Sequence, residues 1–304
     1  MKSLSETIKE SEKKHVALGH FNFSDIAGLR AIFLAAQELN VPVMVGVSEG
    51  EREFVGVRQA AALVKSYREE YDYPIFLNAD HTHSLAKVEE AARAGFDEIL
   101  FDPTLNFVGR GASGSEFVLE ESIRLTKEAV KLIRSINKNI LVEGEIGYIG
   151  SSSEVMKERP EGLELTTPEE AQKFVKETGV DILAPAVGNM HGLLARTDAD
   201  GTQTYAEKRL DIARIKAIKD AVKIPLTLHG GSGTADEDFV AAIKAGINII
   251  HINTEIRLAW RRGVEDGLAN SPDEIAPYKI LPPAVEGIKK IVSERLKLFN
   301  GSLD

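Results

Sequence analysis

The chain has no cysteine. That excludes disulfides, thiolate nucleophiles and thiolate-held metals, and it leaves His, Asp and Glu as metal ligands. No run approaches the ~20 apolar residues of a membrane-spanning helix. Residues 1–14 are polar and charged, without the apolar core of a secretion signal. A cytoplasmic protein with no membrane partner is therefore expected. Aromatic residues are scarce, at 6% with one Trp, and no basic block interleaves with them. Acidic residues outnumber basic ones 47 to 37, for a formal charge of −10, which argues against nucleic-acid binding. An acidic protein can still take an anionic substrate, because metals and helix N-termini act locally.

Eight short apolar, β-branched runs are present, at 15–23, 41–48, 74–81, 98–102, 139–147, 180–188, 225–230 and 249–254. Amphipathic stretches such as 84–94, 116–137, 168–178, 210–221 and 236–245 separate them. Alternating strand and helix patterns imply βαβ units and a parallel sheet buried on both faces. Gly95, Gly179 and Gly246 stand where helices should stop before the next strand. Eight units fit an α/β fold of the (β/α)8 TIM-barrel type. The alternative, a doubly wound open sheet, usually has fewer units and a glycine-rich first turn, which the first run lacks. One barrel domain over 1–304 is expected, with a capping helix at 1–14 and a helical extension at 270–304. Within that extension, 282–300 should pack on the barrel or on another subunit. Polar residues 151–167 follow the fifth strand and should form a mobile loop at the catalytic mouth; 107–114, with three glycines, should form a second loop.

In such barrels, chemistry sits at the C-terminal ends of the strands. The polar residues there are Asn22, Ser48, Asp80, His81, Asp102, Glu145, His191, His229, Ser232, His251, Asn253 and Thr254. His81, His191 and His229 each close an apolar run. Three imidazoles on one rim fit Zn²⁺ with an open position, and Co²⁺ or Mn²⁺ would also suit the donors. Asp80 precedes His81 in one strand, so both can face the site only if the strand breaks there. Asp80 then either orients a ligand or acts as general acid/base. Gly230-Gly231-Ser232-Gly233 opens into a helix start, an arrangement that suits a phosphate. Arg196 and Arg257 follow the sixth and eighth runs, and either could hold a second phosphate.

Together these segments resemble the class II, metal-dependent ketose-bisphosphate aldolases, which include fructose- and tagatose-bisphosphate enzymes. The likeness runs through GHFNFSD, NADH, GFDEILFD, VEGEIGYIG, PEEAQKFVKETGVDILAPAVGNMHG, IPLTLHGGSG and INTEIR, nearly the whole chain. It implies a lyase that reversibly cleaves a ketose 1,6-bisphosphate, fructose first, to dihydroxyacetone phosphate and glyceraldehyde 3-phosphate. Asp80 would be the acid/base, His81, His191 and His229 the zinc ligands, and Asp102 and Glu145 metal-site carboxylates that lie close to the ion or take it in an alternative position. Gly192, Gly230, Gly231 and Ser232 would seat the dihydroxyacetone phosphate end, with Na⁺ or K⁺ assisting. Asn22 and Ser48 would line the cleft and Arg257 the distal phosphate. A homodimer or homotetramer is implied.

The chain departs from the family pattern on the eighth strand, which reads His251-Ile252-Asn253-Thr254 in place of NVDT. The loop after the fifth strand lacks its usual glutamate, so Glu154 is the substitute proton carrier expected, with Glu158 or another proton route as the alternatives. The strand-eight changes raise a second reading, an aldolase for another phosphorylated ketose. A non-catalytic subunit is the third, though a scaffold has no physical need of Asp80 and the three histidines.

Overall fold

The computed structural model describes residues 2–103, 115–150, 153–158, 163, 165–198 and 202–301. The expected loop at 107–114, and parts of that at 151–167, lie outside these residues.

In chain order the elements are α1 (Leu4–Lys14), β1 (Leu18–Asn22), α2 (Ile26–Leu39), β2 (Val43–Val47), α3 (Glu49–Val55), α4 (Val57–Tyr71), β3 (Ile75–Thr82), α5 (Leu85–Ala94) and β4 (Glu98–Phe101). Then follow α6 (Ser115–Ile136), β5 (Leu141–Ile146), β6 (Val155–Met156), α7 (Pro168–Thr178), β7 (Ile182–Pro185), β8 (Leu193–Thr197), β9 (Gln203–Ala206), α8 (Ile212–Val222) and β10 (Leu226–Leu228). The chain closes with α9 (Asp236–Ala245), β11 (Ile247–Ile252), α10 (Thr254–Asn270), α11 (Pro277–Ile280) and α12 (Pro282–Phe299).

Strands β1, β2, β3, β4, β5, β7, β10 and β11 pair in parallel, each with the next, and β11 closes onto β1. This is the expected (β/α)8 barrel. Local chemistry explains the helix ends. Thr167 and Glu170 form a capping box at the start of α7, with Pro168 in the first turn. Gly95 and Gly179 close α5 and α7 in the left-handed conformation that side chains resist.

Because strand side chains alternate, the barrel interior fills in layers two residues apart. The lowest layer is apolar: Leu18, Met44, Phe76, Ile182 and Ile249. Leu4 and Ile8 of α1 pack into the same cluster, so the N-terminal helix caps the barrel bottom as expected. The next layer is polar rather than branched and apolar. It contains His20, Asn78, Glu98, Glu143, Thr227 and His251, all buried. The third layer forms the rim at the C-terminal ends of the strands.

Helix α12 packs on the barrel wall against α2 and α10. Its contact with α10 is backbone-close: a Cβ at Gly263 would lie 2.2 Å from the Ala284 Cα. Two features differ from expectation. Val155–Met156, inside the expected mobile loop, pairs with β8, which pairs in turn with β9 in a small separate sheet. The residues after His191 thus form a hairpin that no apolar run announced. The eighth strand also starts at Ile247, and Asn253 and Thr254 belong to the start of α10.

Candidate active site

The rim encloses a cavity of about 300 Å³ lined by Asn22, Ser48, Asp80, His81, Asp102, Glu145, Glu154, His191, Gly192, His229, Gly230, Ser232, His251, Asn253, Thr254 and Arg257. Among the residues expected at the site, Gly231 is not part of this lining. Glu49, His83 and Tyr148 line it as well, unforeseen from sequence.

Strand β3 does not end at Asp80 and His81 as expected but runs on to Thr82 and bulges there. His81 adopts a left-handed φ of 38°, and pairing with β4 slips between Ala79 and Thr82. That bulge turns two consecutive side chains into one cavity. A buried arginine, also unforeseen, holds the bend. Arg52 Nη1 donates to the Val47 carbonyl at 2.6 Å and the Asp80 carbonyl at 3.1 Å, and Nη2 donates to Thr82 Oγ1 at 3.0 Å.

His191 does not stand at a strand end. It lies six residues beyond Pro185, the last residue of β7, in a turn. Its amide donates to the Ile149 carbonyl at 2.8 Å. Asn189 ties this turn to β10: its side chain accepts from the Val187 amide at 2.8 Å and donates to the His229 carbonyl at 3.0 Å.

His81, His191, His229 and Glu145 offer ligand atoms that all lie within 4.8 Å of one another. His81 Nε2, His191 Nε2, His229 Nδ1 and Glu145 Oε2 are buried and have no hydrogen-bond partner. The opposite nitrogens of two rings are engaged. His229 Nε2 lies 2.6 Å from Glu143 Oε1, and His81 Nδ1 lies 3.3 Å from Asp102 Oδ2. A carboxylate behind each ring leaves the other nitrogen's lone pair facing the cavity, the arrangement that supports metal-binding histidines. Asp102 therefore stands behind His81, outside the four-donor group, where Glu145 stands.

The electrostatics ask for a cation at this point. Burial works against charge on His81, yet Asp80, the Asp102 hydrogen bond and Glu145 outweigh it and raise its pKa to about 10. Burial and the charge of Asp102 push Glu145 well above the usual carboxylate range. Burial, then the neighbouring His81 and His229, hold His191 well below the ordinary histidine value. A divalent ion would take the place of the proton on His81 and offset the charge of the buried Glu145 carboxylate.

Asp80 keeps a free oxygen at the site. Its Oδ2 accepts from Asn22 Nδ2 at 2.8 Å, while Oδ1 is buried without a hydrogen bond, 3.6 Å from His251 Nδ1. Although burial opposes its charge, His81 and His251 hold its pKa well below the usual range. His251 stacks on His20 with ring centroids 3.5 Å apart, and His20 Nε2 lies 3.1 Å from Asn78 Oδ1. Burial, with His229 adding to it, lowers His251 to about 4. Behind them Glu143 also accepts the Thr227 hydroxyl at 2.7 Å. Burial and the adjacent Glu143 push the Glu98 pKa well above the ordinary range.

The glycine turn is packed backbone to backbone. A Cβ at Gly230, whose φ is 59°, would lie 2.4 Å from the Met190 carbonyl oxygen. The Gly231 amide donates to the His251 carbonyl at 3.1 Å, so that residue is spent on packing rather than offered to an anion. Ser232 Oγ accepts from the Glu255 amide at 3.4 Å. Beneath the turn lies Lys208, 6% exposed, whose Nζ donates to the carbonyls of Met190 at 2.7 Å, Gly192 at 2.9 Å and Gly230 at 2.7 Å. Burial lowers its pKa to about 7, partly offset by Glu255. Three carbonyls need three N–H donors, and a neutral amine has two, so this cage holds the ammonium.

At the distal end, Arg257 is already engaged. Its guanidinium donates to Glu51 Oε1 at 2.9 Å and to the Ser153 carbonyl at 3.3 Å. Glu51 is buried and also accepts from Asn22 Nδ2 and from the Ser48 amide, each at 2.8 Å. Asn253 Nδ2 reaches Ser153 Oγ at 3.5 Å. Glu154 is exposed at the rim, and its carbonyl accepts from the Leu193 amide at 2.8 Å. Arg196 pairs with Asp198 on the surface and does not line the cavity.

The family model described as fructose-bisphosphate aldolase class-II matches residues 2–302. The chain is 31% identical to a fructose-bisphosphate aldolase of Geobacillus stearothermophilus, covering 99% of this chain and 97% of that one. It is 32% identical to a probable fructose-bisphosphate aldolase of Bacillus subtilis, covering 99% and 98%. Among solved structures, the YdjI aldolase of Escherichia coli K12 superposes with a TM-score of 0.76 at 27% identity, covering 98% of this chain and 97% of that one. The fold, the rim and these likenesses agree: the chain belongs to the class II fructose-bisphosphate aldolase family, and it is a lyase.

Proposed function

We propose that the protein reversibly cleaves a ketose 1,6-bisphosphate, fructose 1,6-bisphosphate first, to dihydroxyacetone phosphate and glyceraldehyde 3-phosphate. One observation carries this reading. Three buried imidazole nitrogens and one carboxylate oxygen, none with a hydrogen-bond partner, converge beside Asp80. His81, His191 and His229 would hold a divalent ion such as Zn²⁺, with Glu145 next to it. When bound, that ion supplies a Lewis acid that draws electrons from the substrate ketone.

The rest falls to the chain's own side chains. Asp80 Oδ1 takes the proton of the C4 hydroxyl as the C3–C4 bond breaks, and Asn22 holds its carboxylate in place through Oδ2. Glu143 fixes the His229 ring through its 2.6 Å contact. Gly192, Gly230 and Ser232 line the seat for the C1 phosphate, with the Lys208 ammonium behind them. Glu154, on the rim, returns a proton to C3 of the three-carbon fragment. Ser48, Asn253 and Thr254 line the side where the sugar hydroxyls lie. The enzyme acts as a cytoplasmic homodimer or homotetramer; the strongly exposed Ile275 and Tyr278 give it apolar surface to cover. Among the described residues no helix is long and apolar enough to cross a membrane.

A second reading, a phosphorylated ketose with a different tail, is favoured by the pairing of Arg257 with Glu51. A coupled cleavage assay with fructose and tagatose bisphosphates and a ketose 1-phosphate, with and without chelator, separates the readings. Cleavage of the bisphosphate that stops on metal removal supports the first. Turnover of the monophosphate alone selects the second. Activity that survives complete metal removal contradicts both.

A further inference from the structure

We propose that Lys208 is a built-in monovalent cation: its ammonium fills, between the turns that carry His191 and His229, a seat of three carbonyls that would otherwise need K⁺, Na⁺ or NH₄⁺ from solution. The acceptors come from two separate segments. Met190 and Gly192 flank His191, and Gly230 follows His229. All three carbonyl oxygens reach Nζ within 2.7–2.9 Å. Converging carbonyl dipoles repel one another unless a cation lies between them, and such rings are how proteins hold dehydrated monovalent ions.

The seat cannot relax by moving apart. Gly230 is packed on the Met190 backbone, where even a Cβ would lie 2.4 Å from the carbonyl oxygen. The lysine is anchored too: its amide donates to the Gly233 carbonyl at 2.9 Å, and its carbonyl accepts from the Ala235 amide at 3.2 Å. Among the described residues no carboxylate forms a salt bridge with Lys208 Nζ; its direct contacts are the three carbonyls, and Glu255 acts on its charge only through space. The cation thus does two things. It locks together the turns that present two of the three histidines, and it places a fixed positive charge under the Gly230–Ser232 turn. This replaces the Na⁺ or K⁺ that the family likeness implies. The turnover part of the test rests on the proposed aldol cleavage; the stability part does not.

The test compares wild type, Lys208→Ala and Lys208→Met at fixed ionic strength. The only small cation is tetramethylammonium, K⁺, Na⁺ or NH₄⁺, and thermal midpoint and cleavage rate are measured. Wild type should show the same midpoint and rate in all four. Lys208→Ala leaves an ion-sized space lined by carbonyls. In tetramethylammonium it should lose at least about tenfold in rate, and K⁺ or NH₄⁺ should restore most of it saturably. Its midpoint should rise by roughly 2–4 °C with the same ions. Lys208→Met fills the space with an apolar tip and should not be restored. Saturable stimulation of wild type by K⁺ would overturn the proposal. So would a folded Lys208→Ala indifferent to every small cation, or one that folds with none of them. If no sugar phosphate is cleaved while the midpoints behave as described, the built-in cation stands and the proposed reaction falls.

Discussion

Replacing Glu143 by Gln tests whether the carboxylate behind His229 sets the metal affinity of the site. Glu143 is fully buried, accepts the Thr227 hydroxyl at 2.7 Å and lies 2.6 Å from His229 Nε2. Glutamine has the same shape. Its oxygen can still accept from His229, and its amide can turn toward Thr227, whose hydroxyl reverses to accept. What is lost is the negative charge that makes the far nitrogen of the ring a better donor. Changes behind a metal-binding histidine cost roughly 10–100-fold in affinity, equivalent to about 1.4–2.7 kcal/mol. Competition for Zn²⁺ against a chelator of known affinity measures this directly. Glu98→Gln is the control. Glu98 is pushed up by burial and by Glu143 and makes no contact with a histidine of the donor group, so the neutral amide should leave zinc affinity near that of wild type. Equal affinity in Glu143→Gln and wild type would refute the reasoning, as would a matching loss in Glu98→Gln.

Asp80→Ala should keep zinc and lose most turnover, whereas His229→Ala should lose both; metal analysis beside the cleavage assay checks this, and equal metal loss would make Asp80 an orienter of its neighbour. Arg52→Lys removes the forked contact to Val47, Asp80 and Thr82. It should lower stability by about 2–3 kcal/mol, read from the urea midpoint, and should lower kcat more than it raises KM, because the bend that carries Asp80 loosens. His81 supplies a pH signature. Its pKa in the folded metal-free protein is raised from 6.5 to about 10, so its contribution to stability is complete below 6.5 and is lost as pH rises through about 10. Metal must displace that proton, so zinc affinity should rise about tenfold per pH unit between 7 and 9, with one proton released per ion; calorimetry in buffers of different ionisation enthalpy counts it.

The barrel was legible because each strand is an apolar run and each helix has its own period. The glycine stops at 95 and 179 made the alternation plain. Asp80 and His81 were legible as a pair, and the need for a break between them followed from strand geometry alone. His191 was harder: its turn is tied down by Asn189, a long-range contact with no local signal. The β8–β9 hairpin was missed because Arg196, Thr197 and Thr204 alternate too weakly against solvent to suggest a strand. Glu143 could have been found, since Val142-Glu143-Gly144-Glu145 places two acids on one strand face. Glu51, Arg52 and Lys208 could not. Each sits in an ordinary polar stretch and gains its meaning from distant partners: Arg257 for Glu51 at 206 residues, Asp80 for Arg52 at 28 and Gly192 for Lys208 at 16. The polar layer of His20, Asn78 and Glu98 was hidden for a related reason, because a strand buried on both faces does not reveal which face turns inward.

The most direct measurement is a structure of the zinc-loaded protein with anomalous data at the zinc edge. One ion should lie about 2.0–2.1 Å from His81 Nε2, His191 Nε2 and His229 Nδ1, with Asp80 near but not bound to it. An ion bound anywhere else, or the three rings turned away from a shared point, would contradict the account.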